Sequence, residues 1–154
     1  MKKKELITNI LDYLDTNLYT KISINQISKI FFFNKDYIMR VFKNEVNITI
    51  FEYINYKKVY MSLDDLIYTN DSILSIALRC GFSSQEYYSE IFKKTIGINP
   101  STYRKFYKYR NILDINLANR INENVIKLDN TMNYIDNYRK TVKKKDVLVL
   151  SIFK

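Results

Sequence analysis

The chain of 154 residues contains no histidine, one cysteine, one proline and two glycines. Each scarcity closes off a kind of chemistry. Without histidine, the commonest general base and metal ligand near neutral pH is missing. The single thiol, Cys80, can form no disulfide within the chain, and with no histidine beside it a structural zinc site lacks ligands. Sparing use of cysteine fits a reducing compartment, so a cytoplasmic location is expected. Two glycines cannot build a Gly-rich phosphate loop. No apolar run approaches the roughly 18 residues of a membrane span, and no membrane partner is expected. The apolar stretch after MKKKE is interrupted by Thr8, Asn9, Asp12 and Tyr13, which makes it a poor export signal and a plausible amphipathic helix. The remaining carboxylates, lysines, tyrosines and serines form no converging set. The expectation is a protein that is not an enzyme and holds no metal and no cofactor.

Charge of one sign is abundant. Lysine and arginine number 25 against 16 acidic residues, a net of +9, which points to anionic partners. Fourteen tyrosines and nine phenylalanines are also present. Such aromatics can stack single-stranded bases. Most of them fall on apolar positions of helical period, as Phe42, Phe51, Phe92 and Phe106 do, and that favours a core role. The length suits one domain, or one compact unit with a short appendix.

The chain repeats itself at a shift of 50 residues. Tyr37-Ile38-Met39-Arg40-Val41-Phe42-Lys43 faces Tyr87-Tyr88-Ser89-Glu90-Ile91-Phe92-Lys93. Ile48 faces Ile98, and Tyr53 faces Tyr103. Upstream, Ile24, Ile27 and Ile30 face Leu74, Ala77 and Cys80, and Phe32 falls where Phe82 falls. Self-similarity of this kind marks a duplicated structural unit.

Helix punctuation recurs with it. Ser23 with Gln26, Ser83 with Glu86, and Thr49 with Glu52 have capping-box spacing. Asp71 can cap a helix from Ser72 to Cys80. Asn99-Pro100 is a cap followed by proline at the first helical position. Gly81 supplies a tight turn, where the first unit has Phe31 and must use another geometry or carry strain. Helices are expected near 4–18, 24–31, 35–46, 50–68, 72–80, 84–95 and 100–110. The fold class is therefore all-α: two helix-turn-helix units, at 24–46 and 72–95, joined by a linker helix.

The second helix of each unit has one apolar face, formed by Ile38, Val41 and Phe42 or by Tyr88, Ile91 and Phe92. The opposite face carries Lys35, Asp36, Met39, Arg40 and Lys43 in the first unit. In the second it carries Gln85, Glu86, Ser89, Glu90 and Lys93. Such a helix can enter a major groove, with Arg40 on a guanine edge and Gln85 on an adenine edge. Any solvated helix also shows a polar face. Lys43, Lys93 and Lys94 suit phosphate contacts, and Tyr37 and Tyr87 stand near the helix starts.

The run SILSIALRCGFSSQEYYSEIFKKTIGINPSTYR, from Ser72 to Arg104, carries a resemblance. Its Ile-Ala-x-x-x-Gly-Phe stretch and its Phe-Lys-Lys-x-x-Gly-x-x-Pro-x-x-Tyr-Arg stretch resemble the signature of the AraC/XylS family of bacterial transcription regulators. The first unit matches more loosely, through Ile27, Tyr37, Ile38, Arg40, Phe42-Lys43 and Tyr53-Ile54. The resemblance covers about 6–107, two thirds of the chain. It implies seven helices, binding to double-stranded promoter DNA and, often, activation through contact with RNA polymerase. The base-contact positions it implies are Asp36, Met39, Arg40, Gln85, Glu86, Ser89 and Glu90. Phosphate contacts are expected from Lys35, Tyr37, Lys43, Ser84, Lys93 and Lys94. Asp36 and Glu90 depart from the pattern, placing carboxylates where relatives often carry aromatic or basic groups, and Glu86 is shared with the expected capping box. Few residues precede the first helix, so the chain resembles the small single-module members with something added behind.

That addition divides the chain into a module over 1–107 and an extension over 108–154. The extension has ten basic and five acidic residues, a net of +5 and more than half of the total. Leu117, Ile121, Val125, Leu128, Met132 and Ile135 recur near helical spacing, which predicts a helix over 117–140. Asp146 to Phe153 reads as a strand, and a lone strand needs a partner. Three routes are open: the front of a further domain, pairing in a homodimer through 108–154, or a helical end instead. The basic cluster Lys143-Lys144-Lys145 is either a DNA backbone contact or a solvated turn. The competing function is a helical protein-protein interaction module that has lost specific DNA reading.

Overall fold

A computed structural model of the chain describes residues 2–108 and 115–152. Among the described residues all regular structure is helical. The helices are α1 (Lys3–Thr16), α2 (Ile24–Phe31), α3 (Lys35–Val46), α4 (Ile50–Tyr68), α5 (Ile73–Arg79), α6 (Gln85–Ile96), α7 (Pro100–Lys108) and α8 (Ile115–Ile152). The predicted elements from 4–18 to 100–110 correspond to α1 through α7, and residues 109–110 lie outside the described residues. The chain forms two compact units, one of Met1–Tyr53 with Thr131–Lys154 and one of Ile54–Asn130.

In the first unit, α1 and α2 pack on α3. Leu6, Ile7, Ile10, Leu11 and Leu14 of α1 are buried with Ile27, Ile38, Val41, Phe42 and Val46. In the second unit, α5 and α7 pack on α6. There Ile76, Ala77, Tyr88, Phe92, Ile96 and Tyr103 are buried. A fully buried side chain of this size contributes about 1.5–3 kcal/mol, so these apolar faces position the helices.

The caps are local and mostly as expected. Ser23 and Gln26 form a reciprocal capping box, and Thr49 and Glu52 form another. Asn99 accepts from the Thr102 N–H at 2.8 Å. Two caps differ from expectation by one residue. Ser72, not Asp71, caps α5 by accepting from the Ser75 N–H, because the Asp71 carboxylate is engaged by Arg79 at 2.8 Å. Ser84, not Ser83, caps α6 by accepting from the Tyr87 N–H, so Glu86 is not part of a capping box.

The repeat also changes register inside each unit. The caps Ser23 and Ser72 are 49 residues apart, as are the left-handed residues Phe32 (φ 60°) and Gly81 (φ 92°). From the caps Asn34 and Ser84 onward the shift is 50, because the second unit has one more residue between its left-handed residue and the next cap. Phe32 is therefore the counterpart of Gly81 rather than of Phe82. It is 92% exposed while Phe82 is buried, and the strain falls on Phe32, not Phe31. Phe51, expected in the core, is 47% exposed, because the buried face of α4 begins with Ile50, Tyr53 and Ile54.

From Ile115 the extension is helical to Ile152, and the expected strand over 146–153 is replaced by the last turns of α8, with Phe153 outside the described residues. A helix satisfies its backbone bonds within itself, whereas a strand with no neighbour leaves them unmade. Ile121 and Leu128 of α8 are buried within the second unit, and Met132, Ile135 and Val142 within the first. In the first unit Arg139 pairs with Asp15 at 2.8 Å and Asp12 at 3.4 Å, and donates to the Tyr53 hydroxyl. Tyr53 in turn donates to Asp15. Burial and this bond raise the Tyr53 phenol well above its ordinary range.

Candidate nucleic-acid interface

Helices α3 and α6 are built alike. Each is 12 residues long and starts at a side-chain cap, Asn34 or Ser84. Each ends at a left-handed residue, Asn47 (φ 67°) or Gly97 (φ 100°), whose N–H donates at 2.8 Å to the carbonyl of Lys43 or Lys93. This closure terminates a helix after a defined number of turns.

The predicted base-contact residues lie on the outer faces. Asp36, Met39 and Arg40 are exposed on α3, and Gln85, Glu86 and Glu90 on α6, with Ser89 half-buried. Lys35, Lys43, Lys93 and Lys94 are exposed, and Tyr37 and Ser84 are half-buried. The Ser84 oxygen accepts the capping bond, so this hydroxyl also holds the helix start.

Several of these groups interact locally. The Arg40 guanidinium lies 5.7 Å above the Tyr37 ring, and Tyr37 stacks on Phe33 at 5.4 Å and 18°. Asp36 and Glu86 stand in the first turns of α3 and α6, where a carboxylate complements the helix dipole. Glu90 pairs with Lys94 at 3.2 Å across one turn, which reduces the positive field on α6. The pair is open to solvent and stabilises little. On the second unit, α4 adds two groups that sequence reasoning missed. Asn55 donates to the Tyr87 hydroxyl at 3.5 Å, and the Lys58 ammonium stands 5.5 Å from the Phe82 ring centre, its pKa lowered by burial.

The far end of α4 explains the Tyr-Arg pair that closes the signature. Arg104 donates to the Leu66 carbonyl at 2.9 Å and to the Thr69 carbonyl at 3.4 Å, and Lys108 also donates to Thr69. These cations meet unsatisfied carbonyls at the negative end of a helix. Among the described residues, no group of three or more acidic, cysteine or histidine side chains is placed to hold a metal, and no helix is long and apolar enough to cross a membrane.

A helix-turn-helix domain family model matches residues 27–105, just over half of the chain. The match runs from α2 to α7 and so includes both turns and both capped helices. The chain belongs to the AraC/XylS family of transcription regulators. As a member of that family it is a sequence-specific binder of double-stranded DNA. One relative, the HTH-type transcriptional activator AarP of Providencia stuartii, is 31% identical over 66% of this chain and 76% of its own length. Another relative, the uncharacterized HTH-type transcriptional regulator YbfP of Bacillus subtilis, is 30% identical over 70% of this chain but only 37% of its own. The DNA-binding domain of the global transcriptional factor AdpA, solved with a target DNA, shares the fold at a TM-score of 0.62 and 18% identity, covering 70% of this chain and 97% of that one.

Proposed function

We propose that the chain regulates transcription by placing α3 and α6 in adjacent major grooves of promoter DNA. The supporting observation is the matched construction of these helices: same length, same type of cap, same left-handed closure, and an exposed polar face opposite a buried one. Arg40 is the principal base reader, with Asp36 and Met39 beside it, and Gln85, Glu86, Ser89 and Glu90 form the face of α6. Lys35, Tyr37, Lys43, Ser84, Lys93 and Lys94 hold the phosphates and set the register. Phosphate contacts supply most of the affinity and make it fall with salt.

Residues 1–107 form the DNA-binding module in this reading, and 108–154 support it from behind. The apolar stripe of α8 is largely buried within the chain. A homodimer through 108–154 therefore has to use a different face of that helix. Activation through RNA polymerase, in the cytoplasm, completes the proposal.

The test is selection of genome fragments by the full chain at about 150 mM salt, a level at which nonspecific binding is already weak. A motif of two short elements about one helical turn apart, lost with Arg40→Ala, supports the reading. Binding without any enriched motif refutes it and favours the interaction module, for which the carboxylates Asp36, Glu86 and Glu90 on the outer faces would then argue.

A further inference from the structure

The last carbonyls of a helix have no partner inside it. In α6 the carbonyl of its final residue, Ile96, accepts a hydrogen bond from the Asn124 side-chain amide at 2.8 Å. Asn124 belongs to α8 and lies in the same compact unit as α6. The fit is close: a Cβ at Gly97 would lie 3.2 Å from that amide nitrogen, so a larger residue at 97 would press Asn124 back by a few tenths of an ångström. In α3 the Glu45 carbonyl accepts from the Tyr134 hydroxyl at 3.3 Å, and the Glu45 carboxylate accepts from Tyr138 at 3.0 Å. Tyr134 and Tyr138 are also residues of α8, one turn apart, in the same unit as α3. Burial and the bond to Glu45 raise the Tyr138 phenol above its ordinary range, so it stays a donor.

From these contacts we infer that α8 is a positioning element for DNA reading: Asn124 fixes the end of α6, and Tyr134 with Tyr138 fixes the end of α3. These residues touch no base in this scheme. They limit rotation and sliding of each reading helix, so that side chains on its outer face meet base edges within the narrow geometry a bidentate contact needs. The inference rests on α3 and α6 being the reading helices, and it lies outside the 27–105 segment that the family model matches.

The experiment uses the full chain and duplexes carrying the selected motif, each with one base pair changed. Affinity is measured for the wild type, Asn124→Asp, a Tyr134→Phe and Tyr138→Phe double variant, Arg40→Ala and Gln85→Ala, with melting curves for each. Asn124→Asp keeps the size but turns an oxygen toward the Ile96 carbonyl, and Asn124→Ala serves as a second variant if the first melts early. The expected result is position-specific. Asn124→Asp weakens mismatch discrimination roughly three- to tenfold only in the element that Gln85→Ala also affects, and the tyrosine pair does so only in the Arg40 element. An even loss across all duplexes, or an unchanged profile, would overturn the inference and leave these bonds as ordinary contributors to stability. If the wild type itself shows no position-dependent penalty, the DNA reading fails and this inference with it, and that outcome is visible before any α8 variant is compared.

Discussion

The Arg40 guanidinium lies 5.7 Å over the ring of Tyr37. A cation over a ring still reached by solvent is held by about 0.5–1 kcal/mol, which restricts where a flexible side chain can point. Arg40→Ala is expected to cost about 1–3 kcal/mol at one base pair. Tyr37→Leu removes the ring without touching the charge, and the same base pair should lose roughly two- to fivefold in discrimination. Binding titrations on single-mismatch duplexes check both. A Tyr37→Leu protein that discriminates as the wild type does would show that the stack does not orient Arg40.

The lysines predict a different signature. Lys43 and Lys93 are exposed at corresponding places near the ends of α3 and α6. Changing either to alanine should lower affinity on matched and mismatched duplexes alike. It should also reduce the slope of log affinity against log salt by about 0.9. A slope that stays at its wild-type value places that lysine away from phosphate.

Phe32 holds a left-handed backbone that its counterpart Gly81 reaches without strain. Its ring is 92% exposed, so little packing is lost when it is removed. The strain is about 1–2 kcal/mol, against about 0.4–1 kcal/mol for the extra freedom glycine gives the unfolded chain. Phe32→Gly should therefore stabilise the fold by up to about 1 kcal/mol, seen as a higher midpoint in urea. A lower midpoint would mean the ring is held by contacts the free chain needs.

Cys80 is buried, and burial pushes its thiol up to about 11, from an ordinary value of 9.0. Labelling by a thiol reagent should be slow in the native protein at pH 8 and fast in denaturant. The pH dependence follows from the raised value. The neutral thiol is favoured by the fold, so its contribution is full below about 9 and is lost as pH rises toward 11. Tyr88 and Tyr103, raised mainly by burial, add to the same alkaline loss above the ordinary phenol range. Urea midpoints between pH 8 and 11 measure it, and a stability that rises over that interval contradicts the assignment.

Arg139 holds Asp15 and donates to Tyr53 in a largely buried setting. Arg139→Met should cost about 2–3 kcal/mol, below the range for a fully buried pair because water still reaches the carboxylates. A double change with Asp15→Asn should recover part of that loss.

Much of this architecture was legible because its causes are local. Capping boxes such as Ser23 with Gln26 involve side chains and backbone three residues apart, so spacing alone reveals them. The outer faces of α3 and α6 follow from helical period for the same reason. The 49-residue register was hidden because Ile27 has an apolar counterpart at either shift, Ile76 or Ala77. The caps Ser23 and Ser72 and the backbone angle of Phe32 decide between them. Asp71 and Ser72 are both good caps, and the choice depends on Arg79, at the other end of the same short helix, whose reach back to Asp71 spacing does not reveal. The end of α8 was misread because Val147 to Phe153 has strand-like composition, while the absence of a neighbouring strand is a tertiary fact. Asn124, Tyr134 and Tyr138 gave no signal, since polar groups on a helix look the same whether they face water or another helix.

The first unit is assembled from two separated segments, 1–53 and 131–154, while the second is drawn from the single segment between them, 54–130. During synthesis residues 1–53 must therefore wait for residues 131–154. The middle of the chain can settle while the N-terminal helices still lack Met132, Ile135 and Arg139. A chain ending at Asn130 should show slow amide exchange in the helices of 54–108 and 115–130 and faster exchange in 1–53. The middle segment of this regulator thus becomes ordered before the segment that precedes it.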